Sequence, residues 1–239
     1  LLKFHLILPI LASAQLLLLG WGFYAGMQIV SDDPGQIRLP LGARIILSLS
    51  LVFTAFIVSL TLKSTVSNLV LLGMILSFFG DLFNAEVIPL PVPLLGGMTA
   101  FGGAHCFYIA AFYLLLKPTG VLISTWYWIG SAVVWLVTIT GWVRFIRNPD
   151  KIPALNCGSL IYALLVGTMA YCSFIVAFKL GGWWWIIPLG AVLFYISDTI
   201  IGITDIGRVM LKRPHLWIWL TYIMGQMGII YGVWLGLAL

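Results

Sequence analysis

LGARIILSLSLVFTAFIVSLTL, residues 41–62, carries a single charge, Arg44, near its start and only apolar and hydroxyl side chains after it. A helix of this length reaches about 30 Å, the thickness of a bilayer's hydrocarbon core. Working outward, blocks of the same kind recur at 6–29, 66–84, 95–116, 121–143, 155–179, 183–206 and 216–238. The fold expected is an all-α, polytopic membrane bundle of about eight transmembrane helices, one transmembrane domain over residues 1–239. Composition agrees. Hydrophobic residues make up 62% of the chain and charged residues 8%, whereas a soluble domain carries about 25% charged residues. The first block is too long for a secretory signal, lacks a small-residue cleavage site and is followed by further spans.

The breaks carry turn chemistry. Ser31-Asp32-Asp33-Pro34-Gly35 is a turn cluster, Pro89, Pro91 and Pro93 extend the third connection, and Lys117-Pro118-Thr119-Gly120 and Arg147-Asn148-Pro149-Asp150-Lys151 are polar breaks. Trp183, Trp184 and Trp185 read as an interfacial anchor. Pro9 and Pro188 fall inside spans and are candidate kinks. Gly96, Gly97, Gly102 and Gly103 suit close helix packing in lipid. Cys106, Cys157 and Cys172 lie in apolar blocks without metal-ligand spacing and read as buried small residues.

Orientation follows from the cations. Lys3, Lys63, Lys117 and Lys179 fall on the side of the termini. Arg38, Arg44, Arg144, Arg147, Lys151, Arg208, Lys212 and Arg213 fall on the other. The excess of positive charge marks the cytoplasmic side, so both termini are expected to be non-cytoplasmic. The scattering of these residues over loop ends gives no reason to expect a nucleic-acid partner. The membrane is a bacterial inner membrane, or the endoplasmic reticulum in a eukaryote.

Ionisable and amide groups at membrane depth are expensive and mark functional candidates. Asp81 lies in the third span, His105 in the fourth, Asp198 and Asp205 in the seventh, and Tyr222 and Gln226 in the eighth. Counted along their helices, Asp81, His105, Asp198 and Gln226 share one depth on the cytoplasmic side of the midplane. Independent structural residues would not have to agree in this way. Helical spacing groups Ser77, Asp81 and Asn84 on one face, as it does Asp198 with Asp205, Tyr222 with Gln226, and His105 with Tyr108. Polar stripes in lipid must face one another, which implies a shared polar cavity.

Other readings stand beside these. Asp205 is spaced for an ion pair with Arg208. His105 is equally read as a neutral core histidine bonded to an aspartate, and Gln226 as interhelical glue. Asp81 and Asp198 also fit a structural hydrogen-bond network. Glu86 reads as solvated, and His5 and His215 as interfacial. Leu76–Asp81 and Leu193–Asp198 hint at a repeat of four helices, though chance similarity among apolar helices accounts for it as well.

Gly80-Asp81, the run Phe101-Gly102-Gly103-Ala104-His105-Cys106-Phe107-Tyr108, the run from Gly190 to Ser197-Asp198, and Thr221-Tyr222 with Gln226 resemble the YhhN family in order and spacing. That family includes the lysoplasmalogenases of bacteria and animals. Ile223 stands where the family often has a second tyrosine. The resemblance implies a hydrolase that cleaves the vinyl ether bond of lysoplasmalogens, giving a fatty aldehyde and glycerophosphoethanolamine or glycerophosphocholine. Such a bond is stable to base and labile to acid. Its hydrolysis needs a carboxylic acid to protonate the β-carbon, and a carboxylate to stabilise the resulting cation and activate water. Removal from water favours the neutral form of a carboxyl group, and paired carboxyls serve glycosidases in a similar way. The implied catalytic residues are Asp81, Asp198 and His105, the last orienting one aspartate. Ser77, Asn84, Tyr108, Ser197, Asp205, Tyr222 and Gln226 are the candidate substrate contacts. No metal or cofactor is called for. A single-chain lysolipid would lay its tail among apolar helices and its headgroup in the polar cavity. The rival readings are a proton-coupled transporter, which would open to both sides, and a lysolipid-binding protein without chemistry.

Overall fold

The structure, a computed structural model, describes residues 2–28 and 38–239, with side chains from residue 6 onward. The Ser31–Gly35 cluster and the side chains of Lys3 and His5 lie outside the described residues. Among the described residues eight helices are long and apolar enough to cross a membrane, and there are no strands. They are α1 (Leu2–Met27), α2 (Leu41–Leu62), α3 (Thr65–Asn84), α4 (Pro93–Leu116), α5 (Thr125–Gly141), α6 (Pro153–Leu180), α7 (Ile186–Ile201) and α8 (Pro214–Ala238). Five residues of π-helix extend α5 (Trp142–Ile146), and five extend α7 (Gly202–Ile206). The protein is a multi-pass membrane bundle.

Local chemistry sets the helix ends. Ser64 caps α3 by accepting from the Ser67 amide, and Ser67 answers with its hydroxyl. Pro93, Pro153 and Pro214 open α4, α6 and α8 at positions where a missing N–H costs nothing. Pro188 also sits in the first turn of α7, so it starts that helix instead of kinking it. A 3₁₀ turn over Gly182–Trp185 divides the aromatic run. Trp183 and Trp185 stay exposed while Trp184 turns inward, against Gly236.

α8 is the central helix, with 72% of its span buried against 11% for α5. It packs on α7, α2, α1 and α3, while α4 packs on α3 and α6. Small residues permit the closest contacts. Gly73 lies under Tyr108 and Gly80 under Phe101, joining α3 to α4. In the other hairpin Gly190 meets the backbone of Gly225 and Gly228, joining α7 to α8. Of the glycines noted on α4, Gly97 packs under Asn84, whereas Gly102 has room to spare.

The two hairpins are built alike. The 117 positions between Asp81 and Asp198 also separate Gly73 from Gly190 and Tyr108 from Gly225. They likewise separate Gly80 and Phe101 from Ser197 and Ile218, whose hydroxyl and carbonyl are bonded at 3.2 Å. Contacts within one hairpin are therefore repeated at equivalent positions in the other, which favours the repeat over chance similarity. On this register His105 corresponds to Tyr222, not to Gln226.

Two of the three cysteines depart from expectation. Cys106 and Cys157 are exposed on the outer faces of their helices, and only Cys172 is buried. A lipid-facing surface accepts a small apolar side chain as readily as a core does, so hydropathy does not separate the two sites.

The α7–α8 contact generates a prediction. A Cβ at Gly225 would stand 2.7 Å from the Phe194 amide nitrogen, and backbone cannot yield without parting the helices. Gly225→Ala should cost about 1–3 kcal/mol, as overpacking does elsewhere. A lowered thermal midpoint in detergent is the expected result, with Gly102→Ala as the neutral control.

Candidate functional site

Two carboxyl groups organise the interior. Asp81, near the end of α3, accepts from Ser48 of α2 at 2.5 Å and from Tyr222 of α8 at 2.7 Å, both on Oδ2. Asp198, on α7, accepts from Tyr162 of α6 at 2.6 Å, also on Oδ2. His105 Nε2 stands 3.8 Å from that oxygen and 3.2 Å from the Tyr162 hydroxyl. Tyr162 therefore bridges histidine and aspartate. In each carboxyl group one oxygen is held by the scaffold, and Oδ1 has no protein partner among the described residues. The partners cross over: Asp81 reaches the second hairpin, and Asp198 lies beside the histidine of the first.

Aromatic rings fill the space between. Phe194 meets Tyr222 edge-on at 5.4 Å and Phe101 at 6.2 Å, and His105 packs on Phe194 at 4.8 Å. Aromatic pairs prefer such edge-to-face geometry, and here it fixes the ring that carries each polar handle.

Two cavities converge on these groups. One, about 1070 Å³ including its open mouth, is polar and is lined by Asp81, Asp198, Asn84, Arg38, Arg44 and His215, with Glu86 and Asp205 also contributing. The other, about 820 Å³ on the same measure, is mostly apolar. Its walls are Leu94 and Met98 of α4, Trp142, Phe145 and Ile146 of the first π-turn, Ala163 and Val166 of α6, and Ile203 and Ile206 of the second. Asn84, Leu94, Phe101, Asp198 and Ile201 line both. Asp198 thus stands where the polar and apolar spaces meet. Asn84 lines both cavities too, and its side-chain Oδ1 is a buried acceptor without a donor among the described residues. π-turns often accompany functional sites, and here Gly202 of one packs against Ile146 of the other.

The residues singled out from the sequence divide into layers. Asp81, Asp198, Asn84, Tyr222, Ser197 and Asp205 line a cavity. The Ser197 hydroxyl, however, is engaged by the Ile218 carbonyl in helix packing. Ser77, Tyr108 and Gln226 are fully buried one turn deeper and line neither cavity. There Tyr108 donates to the Gln226 carbonyl at 3.0 Å and stands 3.1 Å from Met74 Sδ and 3.5 Å from Ser77 Oγ. These three therefore lie beneath the cavities and not on their walls. This corrects the shared depth: Tyr222, a turn before Gln226, is the group of α8 that meets an aspartate. His105 is likewise fully buried behind Tyr162 and Asp198 and lines neither cavity.

Asp205 does not pair with Arg208. It accepts from Thr204 at 2.9 Å, while Arg208 pairs with Asp150. The helix ends at Ile206 and Gly207 is extended, so Arg208 lies outside the helix and spacing counted along it does not apply. His215, at the start of α8, also lines the polar cavity. Sequence reasoning missed Tyr162, Ser48 and Arg44. Arg44 and Ser48, four apart on α2, did carry a signal as one polar stripe. Tyr162 carried none, one tyrosine among many aromatic residues. Among the described residues no three His, Cys, Asp or Glu side chains cluster closely enough to hold a metal ion.

Comparison with known proteins adds the family. No curated protein and no solved structure matches this chain. The model of the YhhN family matches residues 39–233, a range that contains both aspartates, their hydroxyl partners and the lining of both cavities apart from Arg38. By that match, the chain belongs to the YhhN family.

Proposed function

We propose that this protein is a lysoplasmalogenase-type hydrolase, and the observation that carries the reading is the position of Asp198 on the wall common to a polar and an apolar cavity. A lysoplasmalogen has the same division. Its vinyl ether lies between a long tail and a glycerophospho headgroup. With the tail in the apolar cavity and the headgroup in the polar one, the ether falls beside Asp198. The Asn84 oxygen is then the acceptor for the sn-2 hydroxyl, a group that diacyl lipids lack. Glu86 and Asp205 at the mouth suit the ammonium of the headgroup.

The chemistry follows from which carboxyl oxygens are free. Hydroxyl donors occupy Oδ2 of each aspartate, so a transferable proton is carried on Oδ1. Asp198 delivers its proton to the β-carbon on the tail side. The positive charge that forms is shared by the α-carbon and the ether oxygen. Asp81, in the polar cavity where water enters, takes a proton from the water that adds to the α-carbon. The hemiacetal then collapses: the bond from the α-carbon to the glycerol oxygen breaks, its hydroxyl proton leaves, and the glycerol oxygen gains one. Aldehyde and glycerophospholipid headgroup result, one water is consumed, and proton exchange between the two carboxyls resets the pair. His105 and Tyr162 act as positioning residues for Asp198.

The transporter reading has less support. The lining residues of both cavities lie in the arginine-bearing half of the bundle, reaching the middle of the helices at Val166 and Tyr195, the side proposed to be cytoplasmic. The opposite half is closed by buried contacts such as Gln15 with Thr54 at 2.9 Å and Tyr231 with Gln15 at 3.2 Å.

Purified protein should release fatty aldehyde from lysoplasmenylethanolamine or its choline counterpart. In D₂O the aldehyde should carry one deuterium at the carbon next to the carbonyl, the mark of protonation at carbon. Asp198→Asn and Asp81→Asn should each lower kcat about 100- to 10,000-fold, the range of general acid–base catalysis. Full activity in both folded variants would sink the mechanism. Tyr162→Phe removes the hydrogen bond that stabilises the Asp198 carboxylate formed on proton delivery and should lower kcat about tenfold or more with little change in KM. Ala163→Phe fills the apolar cavity. It should raise KM for long-tailed substrates about tenfold, on the basis of about 0.8 kcal/mol per methylene, and spare short-tailed ones.

A further inference from the structure

One wall of the polar cavity carries cations that the proposed hydrolysis does not use. Arg44 projects from the first turn of α2 into the cavity that Asp81 lines. Its guanidinium carbon stands 5.9 Å from the centroid of the Trp219 ring, a cation–π contact. Its Nε is buried and has no hydrogen-bond partner, and among the described residues the guanidinium forms no ion pair. Arg38 and His215 line the same cavity and lie close enough to Arg44 to repel it, while Asp81 attracts Arg44 and Asp205 attracts His215. Carboxyl groups share this cavity, but none among the described residues pairs with the guanidinium, so the buried N–H of the fork is left for an anion to join. A planar guanidinium fork matches a phosphate with two parallel hydrogen bonds.

We propose that Arg44, with Arg38 and His215 beside it, is the phosphate subsite of the polar cavity, which binds the phosphodiester of a lysophospholipid headgroup. The assignment rests on the lysolipid reading above and adds to it which group is recognised and by which residues. It makes the phosphate a determinant of specificity. Monoalkylglycerols present the same tail, ether and hydroxyl but leave the fork unpaired. Anchoring the phosphate at Arg44 also sets how far the lipid can descend, so that the ether bond stops beside Asp198.

The test measures binding without turnover. Purified protein is titrated with 1-O-hexadecylglycerophosphoethanolamine, a saturated ether that cannot undergo the hydrolysis, and with 1-O-hexadecylglycerol, which lacks the phosphate. Quenching of tryptophan fluorescence is the readout, and Trp219 lies under the fork. The wild type should prefer the phospholipid about 10- to 100-fold, the yield of charge-assisted hydrogen bonds. Arg44→Gln should erase most of that preference by weakening phospholipid binding alone, and Arg44→Lys should keep part of it. If Arg44→Gln does not fold, Arg38→Gln, at an exposed position, should still lower the preference.

Competition identifies the source of the phosphate. Displacement of the phospholipid by glycerophosphoethanolamine at concentrations where inorganic phosphate has no effect supports a headgroup site. Displacement by inorganic phosphate alone overturns the lipid assignment. Equal affinity of the wild type for both lipids, or an undiminished preference in a folded Arg44→Gln, overturns the subsite. Aldehyde release measured in parallel separates the two proposals. Aldehyde without a phosphate preference rejects the subsite and keeps the hydrolase. A phosphate preference without aldehyde rejects the hydrolase and keeps the subsite.

Discussion

A carboxyl group at membrane depth has no bulk water to solvate it, and every polar group there must find its partner inside the protein. The interior of this bundle is arranged around two such groups. Ser48 and Tyr222 satisfy one oxygen of Asp81, and Tyr162 backed by His105 satisfies one oxygen of Asp198. The donors come from α2, α6 and α8, so each aspartate ties several helices together. Below them Tyr108 and Gln226 bond to each other, and below that the bundle closes. The polar interior is therefore stepped: open to a cavity at one end, internally satisfied in the middle, sealed at the other.

That arrangement depends on how closely the helices approach. Gly73 and Gly80 let α4 settle against α3, and Gly190, Gly225 and Gly228 bring α7 and α8 together at their backbones. With lipid outside as apolar as the core, packing at small residues takes over the role that the hydrophobic effect plays in water. The repeated hairpins place two aspartates at equivalent positions facing the same aromatic cluster. The two sites nevertheless differ: the position that holds His105 beside Asp198 holds Tyr222 beside Asp81. Near-equivalent scaffolds with unequal neighbours are a route to two carboxyl groups with separate tasks.

The π-turns that end α5 and α7 shape the second cavity. Each widens its helix by one residue per turn and carries apolar side chains to the space beside Asp198. The result is an apolar chamber joined to a polar one through a short wall, in the half of the bundle rich in arginine. An amphipathic single-chain lipid has that same form, and the proposed substrate follows from this correspondence together with the family.

The sequence by itself determined the eight spans, because hydropathy over about 20 residues is a local property that lipid enforces on each helix separately. It also marked Asp81, His105 and Asp198, because a polar group at membrane depth is conspicuous wherever it ends up facing. The burial of Ser77, Tyr108 and Gln226 beneath the site was not legible, nor were the outward placement of Cys106 and Cys157 and the recruitment of Tyr162, Ser48 and Arg44. Helical periodicity shows which residues share a face, but not which neighbour that face meets or at what depth. Asp205 escaped its expected partner because the helix ends at Ile206 and the extended Gly207 carries Arg208 off the helical register. Those matters were decided only when glycine contacts set the distances between helices, since rotation and depth are settled by packing among helices and not within any one of them.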